Sequence, residues 1–165
     1  MTSPSLEPHT NHPDLPTFVD YINQIFYWDF IGIKPIVYSK QVSLKKVPLM
    51  ELFWKNYDWT FHHIITRTDT HSPTSRSLCT HRSSHIRYPR HYIDSCLGMH
   101  KWSRRKWNED RLYISDSGFY YLVILAHRKG SWEWVLLSAF PTDWSYYRTR
   151  LQKEFSTYGT KTLTI

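Results

Sequence analysis

Two apolar runs around a basic turn constrain this chain more than any other stretch. Phe119 to His127 and Trp132 to Phe140 are rich in β-branched and aromatic residues, and Arg128-Lys129-Gly130-Ser131 separates them. Strand-length runs flanking a glycine-containing turn signal a β-hairpin, so a sheet is expected with these two strands at its centre. The second run delivers Ser138 to its end. Behind it Trp144, Tyr147, Leu151 and Phe155 recur at helical spacing, with Thr142 or Asp143 available as N-cap and Gly159 near the end of the helix. That helix carries Arg148 and Arg150, so polar and cationic groups collect where a strand stops.

A chain of 165 residues is long enough to bury a core and fits a single domain. Met1 to Thr17 hold Pro4, Pro8, Pro13 and Pro16 among short polar residues, which predicts a disordered N-terminal lead over residues 1–17. Residues 18–165 are then the domain. It opens with an amphipathic helix over about 18–31, where Phe18, Val19, Ile22, Ile25, Phe26 and Phe30 share one face. Lys34 to Pro48 reads as two short strands with a turn at Ser39-Lys40-Gln41, and Trp59 to Thr66 as another strand because of its β-forming residues. Asp69 to Ser84 is expected as a loop and His91 to Leu97 as a short helix. Trp102 to Asp110 is expected as a charged connection, Arg111 to Ile114 as a short strand, and Ser115-Asp116-Ser117-Gly118 as a tight turn.

The formal net charge is +7, with 10 His besides, which favours polyanionic partners. Most of the surplus lies between Arg76 and Arg111, where Lys and Arg far outnumber Asp94, Glu109 and Asp110. Tyr88, Tyr92, Trp102 and Trp107 are interspersed there, and exposed rings of that kind stack unpaired bases, although they serve a core equally well. Cys79 and Cys96 are too few for a disulfide framework. No charged segment followed by an apolar one opens the chain, so a cytoplasmic location is expected. The apolar runs fall well short of the roughly 20 residues a membrane helix needs, and no membrane partner is expected.

On a strand, adjacent His62 and His63 would point to opposite faces, so only one of them could face a given cleft. Arg82, His85, Arg87 and Arg90 form the densest cationic cluster. An arginine grips phosphate with a planar fork, whereas histidine exchanges protons near neutral pH. Cys79, His81, His85, Cys96 and His100 offer zinc-ligand types, but their spacing matches no paired C-x-x-C framework. Carboxylates clustered to hold a divalent ion are missing as well. No metal site or cofactor is expected. A route that suits these residues is attack of a ribose 2′-hydroxyl on the adjacent phosphate, with His63 as base or acid, Arg82 and Arg87 on the developing charge, and Ser138 donating to a phosphate oxygen.

Several segments resemble, in order, the motifs of the phage-associated barnase, EndoU, colicin and RelE-like (BECR-fold) nuclease family. They are Phe61-His62-His63-Ile64-Ile65-Thr66, then Arg82-Ser83-Ser84-His85-Ile86-Arg87-Tyr88-Pro89-Arg90 with Ile93, then Tyr121-Leu122-Val123-Ile124-Leu125, and finally Leu136-Leu137-Ser138-Ala139-Phe140 with Arg148 and Leu151. The resemblance covers roughly Lys34 to Tyr158. It implies a small α+β domain with a central antiparallel sheet packed by N- and C-terminal helices. The implied activity is that of a metal-independent endoribonuclease, often a toxin or conflict-system effector. His63, Arg82, Ser138 and Arg148 take the catalytic positions, with Ser138 and Arg148 opposing His63 and the Arg82 loop. Ser83, His85 and Tyr88 depart from the family's Cys, Arg and Trp, and Tyr146 falls where the family carries His, which leaves the second proton-transfer group open. His85, Arg87, Arg90, Tyr146 and Arg150 are expected to contact the substrate. The expected partners are single-stranded RNA, tRNA or ribosome-associated RNA, and a neutralising antitoxin protein; a third reading is a protein-interaction domain whose aromatic surface, notably Phe26, Tyr27, Trp28 and Phe30, docks a neutralising partner. The alternative is a non-catalytic RNA- or ribosome-binding module, for which the basic segment would suffice.

Overall fold

The computed structural model describes residues 4–45, 47–68, 75–106 and 108–159. The predicted hairpin is its centre: β9 (Tyr121–Arg128) and β10 (Glu133–Pro141) are the middle strands of a six-stranded sheet, ordered β1-β2-β10-β9-β8-β7. β1 (Ile36–Val37) and β2 (Lys40–Leu44) lie on one flank, β7 (His100–Lys106) and β8 (Glu109–Ser115) on the other. The sheet is mixed. All neighbours run antiparallel except β2 and β10, which pair in parallel over Glu133–Leu136, so the expected purely antiparallel sheet is corrected at that one ladder. The α+β class stands.

Pleat alternation divides the sheet between two cores. Leu112, Ile114, Tyr121, Val123, Leu125, Trp134, Leu136 and Ala139 face one side, where they meet α1 (Leu15–Tyr27), α2 (Trp59–Ile65) and α4 (Tyr88–Asp94) through Phe18, Ile22, Phe26, Phe61, Ile64 and Ile93. Trp102, Tyr113, Leu122, Ile124 and Phe140 face the other side under Leu151, Tyr147 and Phe155 of α5 (Ser145–Tyr158). The helix expected over 18–31 begins earlier, because Asp14 caps it by accepting the Thr17 N–H at 2.7 Å, and its final turn widens into a π-turn over Trp28–Gly32.

The expected disordered lead gives way to contacts. His9–Asn11 form a 3-10 turn, the Glu7 carboxylate pairs with Arg87, and the Glu7 N–H donates to the Ser84 carbonyl at 2.9 Å. Residues 1–3 lie outside the described residues.

The largest change from the sequence reading is α2. Trp59 to Ile65 is a helix, not a strand, because Asp58 accepts the Thr60 N–H at 2.9 Å as N-cap and because Phe61, Ile64 and Ile65, at helical spacing, are all buried. Seven residues cannot hold a helix alone. Tertiary burial overrides their strand propensity. Asp58→Ala is therefore expected to lower stability by about 1 kcal/mol, read as a drop in denaturation midpoint at unchanged slope; an unaltered midpoint would deny the cap its role.

The Trp102–Asp110 connection is also corrected: β7 and β8 pair from His100↔Ser115 to Lys106↔Glu109. Its charges belong to an outermost strand, where lysine and arginine deter edge pairing. In the Asp69–Ser84 segment, β5 (Thr66–Thr68) pairs with β6 (Arg76–Leu78) ahead of α3 (Thr80–Ser84), while residues 69–74 lie outside the described residues. A third short hairpin joins β3 (Met50–Leu52) to β4 (Lys55–Tyr57). The first turn of the sheet is Tyr38-Ser39 rather than Ser39 to Gln41, with both residues at positive φ, as a two-residue hairpin turn requires. Trp144 occupies the N-cap of α5 with no side-chain bond, since the Thr142 hydroxyl donates to the Phe119 carbonyl and Asp143 bonds His81. Among the described residues no helix is long and apolar enough to cross a membrane.

Candidate functional site

The site begins with an irregularity in β10. Its pairing with β9 slips between Leu136 and Ser138, leaving Leu137 as the extra residue. Such a bulge re-aims the side chains beside it: strict alternation from Leu136 would turn Ser138 to the core side, whereas it stands opposite Ile124 and lines the same cavity as Leu137, its neighbour in sequence. The cavity is a cleft of about 1030 Å³. β2 leaves β10 after Leu136, and α2 packs against β10. His63 and Trp59, one turn apart on α2, thereby form a wall of the cleft.

Register supplies the rest. Arg111 stands opposite Ala126, Glu109 opposite Arg128, and Lys106 opposite Glu109, so charged ends of three strands converge on one face. With Lys45 and Lys129 the lining holds five cations, Lys45, Lys106, Arg111, Arg128 and Lys129, against the single carboxylate of Glu109. Glu109 lies 3.6 Å from Arg111 and 3.2 Å from Arg128, which leaves most of the positive charge uncompensated. The Arg111 Nε is a buried donor with no partner, a condition that a bound acceptor would relieve.

His63 stacks on Trp59 with ring centroids 4.8 Å apart and an interplanar angle of 11°. Lys45 Nζ lies 4.0 Å from the Trp59 ring centroid. Burial first, then the charges of Arg76, Arg82, His62 and Lys45, push the His63 imidazole down to about 4. The imidazole is neutral at pH 7 and makes no hydrogen bond among the described residues, so a lone pair is available to take a proton. His62 is 6% exposed and sits in the core, also pushed down by burial. The two histidines do differ in surroundings, though by the turn of a helix and not by the pleat of a strand.

Arg76 and Arg82 gather at the C-terminal end of α2. Arg76 donates to the His63 carbonyl at 3.1 Å, the Thr66 carbonyl at 2.9 Å and the Thr66 hydroxyl at 2.8 Å, satisfying carbonyls that a helix end leaves open. Arg82 donates one N–H to the Thr66 carbonyl at 2.9 Å, and its guanidinium lies 4.9 Å from the Phe140 ring centroid. It forms no ion pair among the described residues, and burial pulls its pKa down. A half-buried guanidinium without a carboxylate is a standing demand for an anion.

Of the expected catalytic set, the cleft brings together His63 and Ser138. Arg82 lines a second, smaller cavity of about 320 Å³ on the far side of Phe140, a residue common to both. Arg148 lines neither: it donates to the Thr142 and Asp143 carbonyls at 3.1 and 3.2 Å and lies over the Tyr120 ring, fixing the turn into α5. Most of the expected substrate contacts are engaged elsewhere. Arg87 pairs with Glu7, and Arg90 pairs with Asp94 at 2.6 Å while donating to the Asp29 carbonyl. Arg150 pairs with Glu154 at 3.2 Å. His85 is stacked at 19° on Tyr121, bonded to the His81 carbonyl and pushed down by burial. Tyr146 is exposed and lines neither cavity.

Of the candidate zinc ligands, His81 and His85 are in ring contact, with His81 bonded to Asp143, while Cys96 lies in the main core and His100 is stacked on Phe155; no group of three or more possible ligands forms among the described residues. Lys45, Trp59, Lys106 and Arg111 were not foreseen as site residues. No sequence motif links them, since only strand register and the position of α2 bring them together. No protein-family model, curated protein or solved structure matches the chain.

Proposed function

We propose that this chain binds single-stranded RNA in the His63–Ser138 cleft and cleaves it by 2′-hydroxyl transesterification, using side chains as base and counter-charge. The observation that carries this reading is a neutral imidazole, without a hydrogen bond among the described residues, within a cleft whose lining is otherwise strongly cationic. His63 takes the proton of the 2′-hydroxyl, the 2′-oxygen bonds to phosphorus, and the bond to the 5′-oxygen breaks. The 5′-oxygen takes a proton from solvent or from a cleft lysine, which leaves a 2′,3′-cyclic phosphate and a 5′-hydroxyl. Ser138 Oγ, which makes no hydrogen bond among the described residues, donates to a phosphate oxygen. Arg111 and the lysines hold the charge that builds on the phosphate.

The test is incubation of end-labelled, unstructured RNA with purified protein in chelator. Products ending in cyclic phosphate and 5′-hydroxyl are expected. RNA that remains intact would remove cleavage and leave binding. One observation favours that second reading: neither His85 nor Tyr146, both expected as substrate contacts, lines the cleft beside His63. Binding alone would still be salt-sensitive, with a slope in log K against log salt as steep as about −3.5 if all five cations of the cleft engage phosphates.

A further inference from the structure

Phe140 is a shared wall. On its cleft side stand His63 and Ser138; on its other side lie Arg82, Arg67, Trp144 and Tyr147, with Asp143 as the carboxylate of that groove. The groove has the chemistry of one more nucleotide. Arg67 lies 5.4 Å from the Trp144 ring centroid and has no carboxylate partner among the described residues. Trp144 is 64% exposed although it lines the wall of a groove. The Asp143 carboxylate lies 2.9 Å from His81 Nε2 and forms no ion pair with either arginine among the described residues. Arg82, half-buried beside Phe140 and without an ion pair among the described residues, faces the groove at the boundary.

From this arrangement, and resting on the RNA reading above, we infer that the Arg67–Arg82–Trp144 groove is a second nucleotide subsite. One base of a single strand stacks on Trp144, the phosphate linking it to the cleft nucleotide lies on Arg82, and the strand passes over Phe140. The substrate class follows. It is RNA with at least two consecutive unpaired nucleotides, because a base held in a duplex cannot leave its neighbour to reach an aromatic wall. Stacking on a ring tolerates any base, so the groove selects for strandedness and length rather than for sequence.

The experiment measures affinity for labelled 2′-O-methyl uridylates, which cannot undergo the transesterification, as a mononucleotide 3′-phosphate and as a tetranucleotide. Wild-type protein is expected to bind the tetranucleotide far more tightly. Trp144→Ala is expected to remove roughly tenfold to a hundredfold of that gain, and Arg67→Ala a smaller share. Trp28→Ala, an exposed tryptophan on the π-turn after α1, should keep the whole gain. Circular dichroism on each variant separates loss of a contact from loss of fold. A length gain that survives intact in folded Trp144→Ala and Arg67→Ala proteins overturns the subsite and leaves the cleft reading standing. Wild-type protein that binds neither probe overturns both.

Discussion

His63→Ala is expected to slow RNA cleavage by roughly a hundredfold to ten-thousandfold while leaving affinity for an uncleavable RNA nearly unchanged. The split follows from the imidazole's state. It is neutral at pH 7, so it adds little to phosphate binding in the ground state, and its contribution falls on the step in which the 2′-hydroxyl loses its proton. An interaction made only in the transition state lowers kcat and kcat/KM together. Loss of affinity in parallel with rate would instead make His63 a binding residue, and an unchanged rate would remove it from the chemistry.

The pH profile offers an independent check, because base and acid roles predict opposite limbs. As a base, His63 acts in its neutral form, which predominates above its pKa of about 4, so kcat/KM rises with pH through that value and is level from weakly acidic to neutral pH. As an acid, it would give activity that falls as pH rises through the same point. Bound phosphate brings negative charge to the imidazole and raises its pKa in the complex, so the limb in kcat lies above the limb in kcat/KM. The same depression has a stability consequence. The unfolded chain takes up a proton at this residue as pH falls through the ordinary value of 6.5, whereas the folded chain resists until about 4. The contribution of a neutral His63 is therefore complete above 6.5 and is lost progressively as pH falls toward 4. His63→Ala should flatten the acid side of the stability curve in that window.

Features that a single segment carries by itself were legible in the chain. The β9–β10 hairpin and its central place, α1 and α5 all have sustained periodicity or an unambiguous turn. Trp59 to Ile65 misled because its composition favours a strand over a length at which neither period can assert itself; Asp58 was the readable cap, and burial of Phe61 and Ile64 decided the outcome. The site was half legible. His63 and Ser138 stood out by residue type, and the cleft unites them even though the element carrying His63 was misread. Arg87 and Arg90 looked like ligand contacts because charge in a loop suggests a partner outside, yet their partners are Glu7, Asp94 and a backbone carbonyl of the π-turn. Arg111 and Lys106 became visible only through β7–β8–β9 register, and the bulge at Leu137 has no sequence signal at all.

Phe61→Ala is expected to destabilise the fold by about 3–5 kcal/mol, the largest single effect on stability foreseen for this chain. Phe61 is fully buried, with its ring 5.4 Å from that of Phe26 on α1 and 5.4 Å from that of Tyr57 at the end of β4. Three elements thus meet on one side chain, and the surrounding rings cannot collapse into the space without moving α2. The helix also buries Ile64 and Ile65 in the same core. Its seven residues depend on this packing and on the Asp58 cap, and His63 and Trp59 hold their places in the cleft through it. A second loss follows from the first: protein that remains folded in the variant should cleave RNA more slowly, because the His63–Trp59 wall has loosened. Leu97→Ala, at a site 83% exposed, should change stability by no more than about 0.5 kcal/mol. Urea denaturation of the two variants beside wild type decides the matter, and a Phe61→Ala protein within about 1 kcal/mol of wild type would mean that α2 is not anchored by this ring.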